Sequence, residues 1–596
     1  MKKFLVGLLA SIGGLVIFAL LALIIIAKIT QSQHQTIQPN TVLTIDFKGA
    51  MAENSQEAGL SSYFGNKQDS LYHLVQTIDQ ASKDPRVKGI VARIDQASMG
   101  LAQAQELRNA IMRFRVAGRD SNKFTIAHAD TFGEVGQGTA PYYLATAFDE
   151  IWLQPEGDVC LTGLYVEAPF AKELLEHIGI KAQMGMREEY KSAVEGLIES
   201  HMTKPNREEL QTLLTSLMNQ VVRDTAMGRE LNEVDVWDAV NKGPLFGPEA
   251  LKLGFIDRQD YYDEIKAYAE TKLPGGAKFM KAHNYLESNP LPEPEKGKSK
   301  IALIYGTGAI TRDSSNYPGL LDSKVMGGIE ISRAFEKATQ DEDVAAIVFR
   351  VDSPGGSHIA SETILHAARK AQQAGKPVIV SMSDVAASGG YWISTFADKI
   401  VAHPSTITGS IGVVSGKLVT KDAWASIGVN WDGVKSGENA DMWSSSESFS
   451  PYGWERLQGA LDNVYKAFID RVAEGRKLPK EHVLQIAKGR VWSGEDALKF
   501  GLVDKLGDLK EALELAKEAA SLKDQVIPVE IFPKPKSFTE TLQTLLLHDD
   551  DANTSDLGVL APAIRALGFI NNIYMQVCEH ANVSGDMTVT SIKKIK

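Results

Sequence analysis

Short apolar runs rich in β-branched residues alternate along the chain with longer stretches of helical period. Ala345 to Val351 is one such run, Ile359 to Ala374 reads as a helix, and Pro377 to Ser381 is apolar again. Strand–helix–strand alternation predicts a parallel sheet covered by helices, the α/β class. One segment departs from the pattern. Phe4 to Ala27 carries no charge and is flanked by Lys2, Lys3 and Lys28. A helix of that length covers roughly 36 Å, enough to cross a hydrocarbon core of about 30 Å. It exceeds the roughly 7–15 residue apolar stretch of a cleaved secretory signal, so an uncleaved transmembrane anchor is expected. Lys2 and Lys3 would hold the N-terminus in the cytoplasm and send the remainder outward.

The alternation is itself repeated. Asp84 to Asp95 (DPRVKGIVARID) matches Asp341 to Asp352 (DEDVAAIVFRVD) at an offset of 352 − 95 = 257. Tyr142 to Pro155 matches Tyr391 to Pro404 at an offset of 391 − 142 = 249, and Gly247 to Asp257 matches Gly494 to Asp504 at 494 − 247 = 247. Three matches in one order with a slowly drifting offset indicate a tandem duplication with small indels. The expected organisation is an anchor over 1–30, a first copy over 40–290, a second over 300–536, and a tail over 537–596 that packs or makes an oligomer contact. The Pro- and charge-rich LPEPEKGKSK (Leu291 to Lys300) reads as the linker.

Composition narrows the function by exclusion. Of 596 residues, 44% are hydrophobic and 23% charged, a globular balance. The formal charge is 63 − 75 = −12, with no basic stripe, which argues against a nucleic-acid partner. Two cysteines, Cys160 and Cys578, are too few for a disulfide framework or a structural zinc site. No GxSxG, HExxH or Walker loop occurs, which disfavours α/β-hydrolase, metallopeptidase and nucleotide-hydrolase chemistry. No cofactor is expected.

Three small-residue segments of the second copy each follow an apolar run: Asp352-Ser-Pro-Gly-Gly356, Ala386-Ala-Ser-Gly-Gly390 and Thr408-Gly-Ser-Ile-Gly412. Glycines after a strand let backbone N–H groups approach a ligand and form an anion-binding concavity, the parts of an oxyanion hole. Tight strand–helix packing would need the same glycines. In the first copy, Gln96-Ala-Ser-Met99 stands where the paired glycines are, and Leu161 stands where Ser410 is, so chemistry belongs to the second copy. A serine needs a base. His403 reads as a strand-end residue. Lysine can serve once burial lowers its pKa. The candidates are Lys191, whose counterpart in the second copy is Ala440, and Lys435, which would make a site within that copy. Ser410, Ser353 and Ser388 are the candidate nucleophiles.

SPGG, ASGGYW, TGSIGV and Arg187-Glu-Glu-Tyr-Lys-Ser-Ala-Val-Glu195 together closely resemble signal peptide peptidase A in its long, duplicated Gram-negative form. The similarity runs from the anchor to about Leu522. It implies a crotonase/Clp-like fold and a serine peptidase that degrades remnant signal peptides and other short apolar peptides at the bacterial inner membrane, with its catalytic part in the periplasm. It further implies Ser410 as nucleophile, Lys191 as general base, Gly355 or Gly356 with the Ser410 amide as oxyanion donors, and a homo-oligomer such as a tetramer. A crotonase-like acyl-CoA enzyme and a non-catalytic membrane scaffold are the competing functions.

Overall fold

The structure, a computed structural model, describes residues 36–54, 70–134, 136–312 and 325–533. The expected anchor and the tail lie outside the described residues. Among those described, no helix is long and apolar enough to cross a membrane.

In the first copy the strands β1 (Thr41–Ala50), β2 (Val87–Ser98), β3 (Phe124–Ala129), β4 (Glu150–Leu153), β6 (Arg258–Gln259) and β7 (Lys278–Lys281) form a parallel sheet in the order β6-β4-β3-β2-β1-β7. In the second, β8 (Lys300–Thr307), β9 (Val344–Ser353), β10 (Val378–Ala387), β11 (Lys399–Ala402), β15 (Lys505–Leu506) and β16 (Val529–Phe532) repeat it as β15-β11-β10-β9-β8-β16. The duplication therefore reproduces topology strand for strand. The central strands are covered on both faces, so they read as continuous apolar runs: in β9 only Ala345 and Asp352 are less than buried. Helices α1 (Leu71–Lys83) and α2 (Leu101–Gly118) cover the first sheet, α5 (Gly328–Gln340) and α6 (His358–Gln373) the second. A side-chain detail repeats too. Lys123 Nζ donates to the carbonyls of Ala81 and Asp84 at the C-terminal end of α1, and Lys376 Nζ donates to those of Ala338 and Asp341 at the C-terminal end of α5.

Three features lock the copies together. Arg350, 1% exposed, donates from β9 to Glu53 Oε2 (2.8 Å) and Glu106 Oε2 (2.7 Å) of the first copy. Asp384 accepts from the Ala102 and Gln103 N–H groups at the start of α2 (2.9 and 3.3 Å), filling the place where Gly100 has no room for a Cβ. In addition β5 (Lys181–Arg187) of the first copy pairs antiparallel with β13 (Val413–Val419) of the second, from Val413↔Arg187 to Val419↔Lys181. That ribbon carries the chain of the first copy into the second copy's face.

Candidate active site

Two neighbouring strands define the floor of the site. The end of β10 pairs in parallel with β12 (Ile407–Gly409), Ala387 opposite Gly409. One residue further along each strand stands a serine, Ser388 and Ser410, both with positive φ (54° and 53°). The Ser388 N–H donates to the Gly409 carbonyl (2.9 Å) and the Ser410 N–H to the Arg490 carbonyl (2.7 Å). Lys191 arrives from the first copy, four residues beyond β5. Its Nζ lies 3.1 Å from Ser388 Oγ, 2.8 Å from Ser410 Oγ and 3.1 Å from the Ser410 carbonyl oxygen.

Lys191 is 5% exposed. Burial pushes its ammonium down to about 8, opposed by the charge of Glu209. A neutral lysine amine has two N–H donors and one lone pair. The Ser410 carbonyl can only accept, so it takes one donor. The two hydroxyls share the second donor and the lone pair, and the lone pair is what can receive a serine proton.

Backbone geometry separates the two hydroxyls. Ser388 has φ 54° and ψ −117°, a strained conformation for a residue with a side chain, costing about 1–3 kcal/mol. It precedes Gly389 and Gly390 at a sharp strand-to-helix turn, with α7 (Gly389–Trp392) beginning immediately after it. Gly355 and Gly356 press against this turn: a Cβ on Gly355 would fall 2.9 Å from Ser388 Cβ and 2.6 Å from the Gly389 nitrogen. Gly355 does not itself offer a donor, because its N–H goes to Ser353 Oγ (3.2 Å). Gly356 forms a bridge with Ile310 in which its neighbours make the bonds, Ile310 N–H to the Gly355 carbonyl and Ser357 N–H to the Ile310 carbonyl. Its own N–H is not used by the bridge, and a Cβ on Gly389 would fall 3.1 Å from the Gly356 nitrogen. The Ser410 N–H, expected as an oxyanion donor, is taken by Arg490.

The remaining sequence candidates fall elsewhere. Ser353 Oγ donates to the Gly308 carbonyl (2.7 Å), a local strut. Lys435 is on the surface beside Asp441 (3.1 Å). His403 is buried with Nε2 3.0 Å from Glu106 Oε2. In the first copy Thr139 occupies the position of Ser388 at the 249 offset, and its hydroxyl is tied to the Gly163 carbonyl (2.9 Å). The sequence motifs include Gly389 within the Ala386–Gly390 segment but give no sign of Arg490 or Glu209.

A buried lysine of lowered pKa against serine hydroxyls, with glycine N–H groups beside a strained strand-to-helix turn, is the equipment of a Ser–Lys hydrolase. The comparisons agree. The model of peptidase family S49 matches residues 119–274 and 370–523, one match in each copy. "Protease 4" of Salmonella typhi is 35% identical over 474 residues, covering 77% of this chain and 73% of its own. "Protease 4" of Haemophilus influenzae is 32% identical over 527 residues, 84% and 83%. A "Putative signal peptide peptidase SppA" of Enterococcus faecium is 30% identical over 260 residues, 44% of this chain and 74% of its own. The chain belongs to peptidase family S49, and it is a serine peptidase.

Proposed function

We propose that this protein is a membrane-anchored endopeptidase that degrades released signal peptides and other short apolar peptides, with Ser388 as nucleophile and Lys191 as general base. The observation that carries the reading is Lys191 Nζ within hydrogen-bond reach of Ser388 Oγ at 3.1 Å, beside the Gly355–Gly356 turn. Ser388 Oγ attacks the scissile carbonyl while Lys191 takes its proton. The Gly356 and Gly389 N–H groups hold the oxyanion, Lys191 protonates the leaving amine, and water then hydrolyses the acyl-enzyme. Ser410 holds the lysine through its hydroxyl and carbonyl. This revises the assignment of Ser410 as nucleophile, because the glycines that would stabilise the oxyanion face Ser388 and the Ser410 N–H is already engaged. The 2.8 Å contact of Lys191 with Ser410 Oγ supports the second reading, attack by Ser410.

Hydrolysis of a leucine-rich fluorogenic peptide separates the two. Ser388→Ala should lower kcat/KM at least about a thousandfold. Ser410→Ala should cost about ten- to a hundredfold, the effect of a loosened lysine. The reverse ranking returns the nucleophile to Ser410.

The membrane and oligomer parts rest on sequence and internal symmetry. The apolar Phe4 to Ala27 supports a single-pass anchor with the catalytic part in the periplasm, and the Enterococcus relative's name supports signal peptides as substrates. For assembly, the 249 offset converts the Val419↔Lys181 pair of β13 and β5 into Phe170↔Asn430, and Val413↔Arg187 into Leu164↔Ser436. Neither 164–170 nor 430–436 belongs to a strand, and both are mostly exposed, including Tyr165, Val166, Trp431 and Val434. Pairing of these segments between successive chains would repeat the internal junction and close a ring of copies.

A further inference from the structure

A strap of the second copy, Lys488 to Val491, threads between the two halves of the dyad. The Tyr190 N–H donates to the Lys488 carbonyl (3.1 Å), the Gly489 N–H to the Ile411 carbonyl (2.9 Å), and the Ser410 N–H to the Arg490 carbonyl (2.7 Å). Contact with the lysine's own backbone is so close that a Cβ on Gly489 would fall 2.6 Å from the Lys191 nitrogen. The position of Lys191 against both serines therefore depends on where the strap lies.

Helix α4 (Lys204–Arg229) of the first copy holds that strap from outside. Glu209 Oε1 accepts the Val491 N–H (2.8 Å), and Glu208 Oε1 and Thr212 Oγ1 accept from the Arg490 guanidinium (3.2 and 3.3 Å). Glu209 is buried, and its second oxygen, Oε2, has no hydrogen-bond partner among the described residues. An unsatisfied buried carboxylate oxygen is costly, and its retention calls for a reason.

The charged groups facing Glu209 supply one. Lys191 and Arg490 favour its ionised form, and Glu195, at the start of the short helix Glu195–Ile198, opposes it. Glu208, on the same helix α4, is engaged by Arg490. Burial raises the Glu209 carboxyl to about 7, and its charge favours the protonated form of Lys191.

We propose that Glu209 is the positioning residue of the dyad: through Val491 it seats the strap against Lys191, and its buried carboxylate governs how readily Lys191 gives up its proton. This rests on Lys191 being the general base.

The test is the pH dependence of kcat and KM for peptide hydrolysis by the full chain and two neutral variants. Glu209→Gln keeps an acceptor for the Val491 N–H and removes the negative charge that stabilises protonated Lys191. It should move the acidic midpoint of kcat/KM down by about half a pH unit to one unit, with KM unchanged. Glu209→Met is equally neutral but cannot accept from Val491. It should show the same shift together with a kcat lower by about tenfold. Either folded variant suffices to read the midpoint. A midpoint that stays at the wild-type value makes Glu209 a structural strut and overturns the proposal. A Lys191→Ala protein that retains wild-type activity overturns the dyad instead, a separate outcome.

Discussion

Lys191 and Ser388 stand 197 residues apart in the chain and 3.1 Å apart at Nζ and Oγ. Each copy of the duplicated unit supplies what the other has lost: the first keeps the lysine, and the second keeps the serines and the glycine turns. The β5–β13 ribbon makes this possible, since Lys191 follows β5 by four residues and Ser410 precedes β13 by three. A site assembled this way is sensitive to how the two copies are fastened and to how the lysine is desolvated.

The first consequence is a pH profile. Under the proposed dyad neutral Lys191 is the active form, and burial pushes its pKa down to about 8. The rate of peptide hydrolysis should therefore rise as pH increases through about 8, with about a tenth of the plateau rate left one unit below the midpoint. A profile flat from pH 6 to about 10 would remove lysine as the base.

Burying that lysine also costs stability. Between the folded value near 8 and the ordinary lysine value near 10.4, the unfolded chain binds a proton that the native chain does not, so this residue's contribution to stability rises with pH across that window. Below it the cost is complete. Lys191→Met, which fills the same space without a charge, should stabilise the fold at pH 7 by up to about 3 kcal/mol while abolishing activity. Thermal melts at pH 7 and near pH 10 should show the Tm advantage shrinking at the higher pH.

Arg350 is the buried fastener between copies. Arg350→Ala would leave Glu53 and Glu106 buried without their cation, and should destabilise by about 3–5 kcal/mol. Urea unfolding followed by tryptophan fluorescence would register the loss as a lower midpoint. Arg93 is the corresponding residue of the first copy at the 257 offset and pairs with Asp130 nearer the surface. Arg93→Ala should cost about 1 kcal/mol or less.

The unpaired segments 164–170 and 430–436 predict an interface whose disruption spares the site. Under the offset register Val166 faces Val434 of the next copy, so Val434→Asp should lower the native mass of the detergent-solubilised protein. Activity per chain on a short soluble peptide should be kept, because Lys191 and Ser388 come from one chain. An unchanged mass would place the contact elsewhere.

Much of this was legible without coordinates. The alternation of β-branched runs with helical stretches specified a parallel α/β sheet, because strands covered on both faces must be continuously apolar. Duplication was visible because three matched segments kept their order, and Lys191 stood out against Ala440. The sequence placed Ser410 above Ser388 by motif resemblance alone. Both follow a strand, both sit among glycines, and a motif carries no information on which N–H groups are already engaged. The folded chain supplies the contacts on which the proposal of Ser388 rests: the Arg490 carbonyl takes the Ser410 N–H, Ser353 takes that of Gly355, and the Gly356 nitrogen lies beside Gly389. Glu209 was likewise invisible, since nothing local distinguishes a glutamate on a polar helix from one buried against Val491 of the other copy. Periodicity and repetition are properties of neighbouring residues, which the sequence determines directly. The partner of a hydroxyl, the solvation of a lysine and the engagement of an N–H depend on residues from tens to hundreds of positions away, and only the folded chain brings them together.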